Sequence, residues 1–183
     1  LDGSGLLVLH SFAGGPAAAV VPVGTLALAD GALFGMTQQG GATNLGTVYR
    51  LELDGSGFAV LHSFAGGPAD GWQADGSLIC DSGALYGMTR RGGSNEGGIL
   101  FKINPDGTGY EVLHSLLAGS ADGQWPEHAG LTAVGCELYG MTGSGGLGSG
   151  GVLFSFHHAR VVSGTVTLAG AGLSGIVMTG LPG

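Results

Sequence analysis

The sequence predicts an all-β fold, and three features of its composition and pattern support that prediction. Glycine makes up 41 of 183 residues, yet the G-X-Y period of collagen is absent. Hydrophobic residues make up 44% of the chain, which is enough to bury a core. Short apolar runs rich in β-branched and aromatic residues alternate with glycine-containing turns, which is typical of short antiparallel strands.

A repeat of about 52 residues occurs three times in tandem, over residues 1–52, 53–104 and 105–157. Two motifs mark every copy. The first is Val-Leu-His-Ser-Phe or a close variant, at Val8–Phe12, Val60–Phe64 and Val112–Leu116. The second is an apolar-Gly-Met-Thr run, at Leu33–Thr37, Leu85–Thr89 and Leu138–Thr142. A fixed period of this length predicts stacked copies of one supersecondary unit.

The middle copy predicts four strands in each repeat. They lie at residues 77–80, 84–89, 98–103 and 110–116, with turns or a glycine-rich loop between them. Four strands in a period of about 40 to 50 residues are typical of one β-propeller blade. We therefore expect a β-propeller architecture with three four-stranded blades in each chain.

The strand order resembles that of kelch blades, and the repeat itself resembles the GloVer tandem repeat of bacterial secreted and surface proteins. The residues that carry this resemblance are Val60–Gly67, Leu85–Thr89, Gly92-Gly93 and Gly98–Lys102. The resemblance covers residues 1 to about 157. It implies a propeller-like protein that is extracellular or on the bacterial cell surface, and it names no activity.

Residues 158–183 differ in character from the repeats. Val162–Thr167 and Gly172–Val177 resemble the opening strands of an immunoglobulin-like or carboxypeptidase-regulatory-like module. We expect this tail to be the truncated start of such a β-sandwich-like module. Because the chain begins within a repeat and has no signal peptide, we also expect it to be part of a longer protein.

Charge and hydropathy exclude two classes of partner. The net charge is −8 and the chain holds only five Lys or Arg, so no basic stripe is available for nucleic acid. No run of 18 apolar residues occurs, so we expect no membrane insertion. Cys80 and Cys136 fall at different repeat positions and predict neither a disulfide framework nor a metal knuckle.

The order of predicted strands suggests how the blades are completed. Gly5–Phe12 reads as an outer strand, whereas the third copy ends at Phe156 without one. We expect two chains to exchange these strands, forming a homodimer that closes a six-bladed ring. The alternative is an excised fragment of a longer propeller.

A histidine recurs at one repeat position, as His10, His62 and His114. Three imidazoles are sufficient ligands for a metal ion. However, outer strands of a propeller lie far from its axis, so we favour a half-buried histidine bonded to a neighbouring backbone group. No cofactor is predicted, and a metal ion at these histidines remains the alternative.

The loops that join the strands carry the remaining site candidates. Acidic and aromatic side chains there would suit a small molecule or carbohydrate, and they are Asp70, Trp72, Asp75, Asp122 and Trp125, with Arg90 and Arg91 beside them. Glu127 and His128 are candidates for an acid–base pair. Cys80 is a third catalytic candidate, although we favour a buried free thiol that serves as a small apolar residue.

Three functions remain open on this basis. The first is a non-catalytic extracellular module that binds a ligand or a protein. The second is a hydrolase of the esterase, lactonase or phosphoester type with its site at the channel mouth, which depends on fold analogy alone. The third is a structural repeat of a surface protein.

Overall fold

A computed structural model describes residues 5–13, 19–119, 122–158, 166–168 and 171–173. This part of the chain is all-β and contains no helix. The described ranges therefore hold no helix that is long and apolar enough to cross a membrane.

Three antiparallel sheets follow one another along the chain. The first sheet has four strands in the order β1 (Ala19–Ala29), β2 (Ala32–Gly40), β3 (Thr47–Glu52) and β4 (Ala59–Ser63). The second also has four, in the order β6 (Ile79–Asp81), β7 (Ala84–Thr89), β9 (Ile99–Ile103) and β10 (Glu111–Ser115). The third has three, in the order β12 (Thr132–Val134), β13 (Glu137–Thr142) and β15 (Val152–His157).

Two-residue ladders and a hairpin complete the set of strands. The ladders pair β5 (Gly71–Trp72) with β8 (Arg91–Gly92), and β11 (Gly123–Gln124) with β14 (Ser144–Gly145). The hairpin pairs β16 (Val166–Leu168) with β17 (Ala171–Leu173) and is the described part of the tail. The rest of the sandwich-like module expected at 158–183 lies outside the described residues, except His158.

The four strands predicted for the middle copy are present as β6, β7, β9 and β10. The prediction of a strand over Gly5–Phe12 is wrong for the isolated chain, since the described residues 5–13 contain no strand. The physical reason is that a strand needs a neighbour to accept its backbone hydrogen bonds.

Tight turns between β1 and β2, and between β6 and β7, fix the register of these hairpins. Asp30-Gly31 and Ser82-Gly83 both have positive φ at each central residue, as a type I′ turn requires. They bring Ala29 opposite Ala32 and Asp81 opposite Ala84. The corresponding turn of the third sheet has its positive φ at Gly135, the arrangement of a type II′ turn.

Each sheet is covered on one apolar face by the next sheet. Phe34, Met36 and Val48 of the first sheet are fully buried in one core cluster with Leu85 and Phe101 of the second. In turn, the second sheet and the third share a second cluster, formed by Tyr86, Met88, Leu100, Leu131 and Leu138. The core is therefore a series of layers between successive sheets.

Two residues with left-handed backbone geometry, Gln73 and Trp125, bridge the two pairs of neighbouring sheets. Val21, Gln73 and Trp125 occupy the same repeat position and have φ of 57°, 51° and 54°. The Gln73 amide donates to the Leu45 carbonyl 3.1 Å away, and its carbonyl accepts from the Arg90 amide at 2.9 Å. Trp125 makes the corresponding bonds, and two-sided bonding of this kind holds a sparsely populated conformation in place.

The strands β1, β6 and β12 lie beside one another in sequence order. Their backbones approach closely at Gly24 within β1 and at the loops that precede β6 and β12. A Cβ atom added to Gly24 would lie 2.1 Å from the Gly76 carbonyl oxygen. A Cβ atom added to Gly76 would lie 2.1 Å from the Ala129 carbonyl oxygen. Only glycine permits this spacing between the three sheets.

We predict that Gly76→Ala destabilises the fold by about 1–3 kcal/mol, because the new methyl group displaces backbone rather than a flexible side chain. Urea unfolding at neutral pH would measure the loss. Gly130→Ala is the matched control, since its added Cβ atom would meet only the Ser77 Cβ atom at 3.9 Å. Equal stability of the two variants would contradict the close approach.

Candidate functional site

The buried carboxylate of Asp70 is the most heavily bonded polar group between the first and second sheets. Its oxygens accept hydrogen bonds from the backbone amides of Ala65 at 2.8 Å and Gly71 at 2.7 Å. The Nε2 atom of His62 lies 3.1 Å from Oδ2, and the Tyr110 hydroxyl donates to Oδ1. We call His62, Asp70 and Tyr110 the His–Asp–Tyr junction.

The His–Asp–Tyr junction joins two sheets. His62 lies on β4 of the first sheet, and Tyr110 immediately precedes β10 of the second. Their rings stack with centroids 3.7 Å apart and planes inclined by 13°. One aromatic side chain therefore closes the contact by stacking and, through its hydroxyl, by a hydrogen bond to a carboxylate.

Hydrogen bonding determines the protonation of this junction. Burial opposes ionisation of Asp70, but the donors His62, Tyr110 and two backbone amides outweigh it and lower the pKa of the carboxyl group. Burial, followed by the hydrogen bond to the Asp70 carboxylate, raises the pKa of Tyr110 far above its usual range. At neutral pH the pair is thus carboxylate and neutral phenol.

The same arrangement is partly repeated between the second and third sheets. The Nε2 atom of His114 lies 2.8 Å from Oδ2 of Asp122, which also accepts from the Leu117 amide at 3.1 Å. No aromatic hydroxyl from the described residues completes this pair. A cavity of about 370 Å³ lies beside it instead, lined by both polar groups and mainly by apolar side chains.

The three recurrent histidines do not form a metal centre in the described part of the chain. No group of three His, Cys, Asp or Glu side chains with metal-binding geometry occurs among these residues. His10 stacks on Phe58 with ring centroids 4.1 Å apart. His62 and His114 bond a carboxylate, so the backbone partner that we expected for them is wrong.

A second set of polar contacts recurs in the loops. The Nε2 atom of Gln38 donates to the Asp75 carboxylate at 2.6 Å, and the Nε atom of Arg90 donates to the Glu127 carboxylate at 2.7 Å. Both pairs are 37 residues apart in sequence and occupy corresponding repeat positions. They therefore form one structural contact made twice, rather than two halves of one site.

The aromatic candidates also have partners within the protein. The Trp72 indole N–H donates to the Glu96 carboxylate at 2.9 Å. The Arg91 guanidinium lies 4.7 Å from the centre of the Trp125 ring, a cation–π contact. A ligand that bound at Trp72 or Trp125 would have to compete with these contacts within the protein.

The catalytic candidates do not converge on one point. His128 has a side chain that is 82% exposed, and its Nδ1 atom lies 3.5 Å from Asp75 rather than beside Glu127. Glu127 is engaged by Arg90. Desolvation, together with the charges of Asp30 and Asp81, raises the pKa of the Cys80 thiol, which disfavours the nucleophilic thiolate. No acid, base and nucleophile among them are arranged for general acid–base or covalent catalysis.

The sequence interpretation missed Tyr110 and Gln38. A signal for Tyr110 exists in the repeats themselves. Asp70 and Asp122 each follow a recurrent histidine by eight residues, whereas Ala18 stands at that distance from His10. The residue that stacks on His10 is Phe58, at the repeat position of Tyr110. The carboxylate and the hydroxyl are thus lost together, as expected for groups that bond each other.

We predict that Tyr110→Phe lowers the free energy of unfolding by about 1.5–3 kcal/mol at pH 7, because the ring stack survives and only the bond to a charged group is lost. The folded-state pKa of Asp70 is depressed, so this stabilisation is present above the usual aspartate pKa of about 3.9 and disappears as the pH falls through the folded value. The difference in the free energy of unfolding between the native protein and Tyr110→Phe should therefore become smaller in acid.

Urea unfolding between pH 7 and pH 3 measures this difference in the free energy of unfolding. Tyr49→Phe is the control, since burial alone raises the pKa of Tyr49 and no carboxylate accepts from it among the described residues. A gap for Tyr110→Phe that stays constant over this range would contradict the bond to Asp70.

Comparison with known proteins identifies the repeat. No curated protein matches the chain. Among solved structures, the crystal structure of a nidogen/laminin complex matches with 14% identity and a TM-score of 0.40, over 65% of this chain and 56% of that chain. The chain thus spans just over half of that relative, and a similarity at this level carries no argument about function. The family model named Gloeobacter/Verrucomicrobia repeat matches residues 1–177, which agrees with the resemblance found in the sequence. The chain belongs to this family of bacterial repeats.

Proposed function

We propose that the chain is a non-catalytic propeller-type module that binds protein through the uncovered face of its third sheet. The observation that carries this proposal is a difference in burial between corresponding residues. Tyr86, Met88 and Leu100 of the second sheet are 5%, 2% and 2% exposed. Their counterparts Tyr139, Met141 and Leu153 in the third sheet are 41%, 57% and 73% exposed. We call these three residues the end face.

The end face has the composition of a docking surface. It repeats the chemistry that the second sheet uses to bind the third, so a sheet of the same type is the natural occupant. Exposed apolar side chains that lie together in this way are typical of protein interaction sites. A partner covering the end face would gain the hydrophobic stabilisation that the inner layers already have.

The propeller architecture is part of this proposal. Three observations support it: the contact between successive inner strands β1, β6 and β12, the glycines at their close approach, and the covering of each sheet by the next. Wedge-like stacking around an axis accounts for all three. An extracellular or cell-surface location is also proposed, from the family resemblance, and surface labelling of intact bacteria that express the full protein would test it.

The contacts of the loop residues bear on the other functions. Binding of a small molecule or carbohydrate near Asp75 and Trp125 stays a prediction, as does hydrolase activity at His128. Neither gains support from the structure, because the polar groups needed for them bond one another between sheets. Isothermal titration with a sugar panel and turnover assays on ester and lactone substrates would test them.

We predict that the protein associates in a concentration-dependent way and that Met141→Asp combined with Leu153→Asp weakens this association at least about tenfold. Burying a charge in an apolar interface costs more than the 1.4 kcal/mol to which that factor corresponds. Sedimentation velocity across a range of concentrations would measure it. Because both residues are exposed in the single chain, its folding should be unaffected.

Leu53→Asp serves as the matched control, since Leu53 is also an exposed leucine but lies in the turn after β3, away from the end face. Association that is equally strong in the double variant, or absent in the native protein at high concentration, would refute binding through the end face.

A further inference from the structure

The cavity beside His114 and Asp122 corresponds to a space that is filled elsewhere in the same chain. It has a volume of about 370 Å³, and its apolar walls come from β7, β9 and β15, through Met88, Leu100, Phe154 and Phe156. The corresponding space between the first and second sheets holds the ring of Tyr110. That ring stacks on His62 and lies 5.6 Å from Phe101, the counterpart of Phe154.

The source of the missing side chain follows from the position of Tyr110. This residue directly precedes β10, the outer strand of the second sheet. The third sheet has no outer strand among the described residues, and β15 is its edge. The cavity and the open edge are therefore two parts of one vacancy, which an outer strand with a large residue ahead of it would fill.

Residues 5–12 carry the sequence of such a strand. Val8–Phe12 repeats the motif found in β4 and β10, and Leu6 occupies the position of Tyr110. The segment pairs with no strand, and Leu6, Leu7 and Val8 are 87%, 74% and 71% exposed. An exposed apolar segment of this type and an open strand edge complement each other.

The segment already lies on the first sheet of its own chain. His10 stacks on Phe58, and the ring of Phe12 lies 5.3 Å from that of Tyr49. These contacts correspond to those that β4 makes with the second sheet, such as His62 on Tyr110. A copy that offers its residues 5–12 therefore brings its first sheet with them, oriented as the next sheet in the series.

We propose that residues 5–12 of a second copy add to β15 as its fourth strand and place Leu6 in the cavity beside His114 and Asp122. This inference rests on the proposed function, because the first sheet of that copy would cover the end face in the same step. It is strand addition at a sheet edge, with backbone bonds giving affinity and the cavity giving register. The contact is head-to-tail, so two copies would supply six sheets to a closed ring.

The register follows from the second sheet. There Glu111 lies opposite Lys102, and their side chains form an ion pair at 2.7 Å. The corresponding residues are Leu7 and Ser155. In the assembled copies, Leu7 of one should lie opposite Ser155 of the other.

Light scattering after size exclusion tests whether residues 5–12 of a second copy occupy the edge of β15. The native protein should show about twice the 17.9 kDa chain mass, and Leu6→Asp should reduce this to the mass of one chain. Leu6→Tyr should lower the dissociation constant about tenfold, because its hydroxyl can donate to Asp122 as Tyr110 does to Asp70. Leu53→Asp should change nothing.

A cross-link tests the register without relying on a disruptive variant. With Cys80 and Cys136 replaced by Ser, Leu7→Cys and Ser155→Cys should form a disulfide between copies under mild oxidation, because the Cα atoms of directly opposed strand residues are separated by a distance that a disulfide can span. Leu147→Cys in place of Ser155→Cys is the control and should remain unlinked.

The outcomes separate this inference from the proposed function. Single-chain mass for the native protein overturns both. Association that the end-face double variant abolishes but Leu6→Asp leaves intact, with no cross-link at residues 7 and 155, overturns strand addition and leaves end-face binding standing. Loss of association in Leu6→Asp together with the specific cross-link confirms strand addition.

Discussion

The apolar layer between successive sheets is the contact on which the rest of the structure depends. Each sheet has only three or four strands, and its apolar faces would be exposed to water if the sheet stood alone. Stability must therefore come from neighbours, as in other repeat proteins. The glycines that let the inner strands approach, and the left-handed residues that bridge the loops, are located where one sheet meets the next.

The polar side chains of the His–Asp–Tyr junction also make their contacts between successive sheets. The histidine, carboxylate and phenol at His62, Asp70 and Tyr110 would suggest catalysis if they lined an open cleft. Here they span the contact between two sheets, and they bond one another. At His10 the sequence has Ala18 in place of the carboxylate and Phe58 in place of the phenol, and the ring stack is retained. Stacking is therefore common to the contacts of His10 and His62, and the hydrogen bonds to a carboxylate are added at His62.

How much of this could be predicted from sequence depends on how local each feature is. The strands β6, β7, β9 and β10 follow from turn residues and apolar runs that lie within one repeat. The pairing of Gln38 with Asp75 could not be predicted, because it joins residues 37 apart, one on β2 and the other in the loop before β6. The two-residue ladder of β5 and β8 is too short to carry a pattern. The strand expected at residues 5–12 failed for a different reason, since strand formation requires a partner as well as a suitable sequence.

The left-handed position shared by Val21, Gln73 and Trp125 has a consequence for how such a family diversifies. At Gln73 and Trp125 hydrogen bonds of the main chain on both sides hold the backbone conformation, and these bonds do not depend on the identity of the side chain. An aliphatic, an amide and an indole group all occupy the position, and all three are partly or fully open to solvent. Repeats of this kind can therefore alter what they display to their surroundings, one copy at a time, while the architecture that carries the display stays the same.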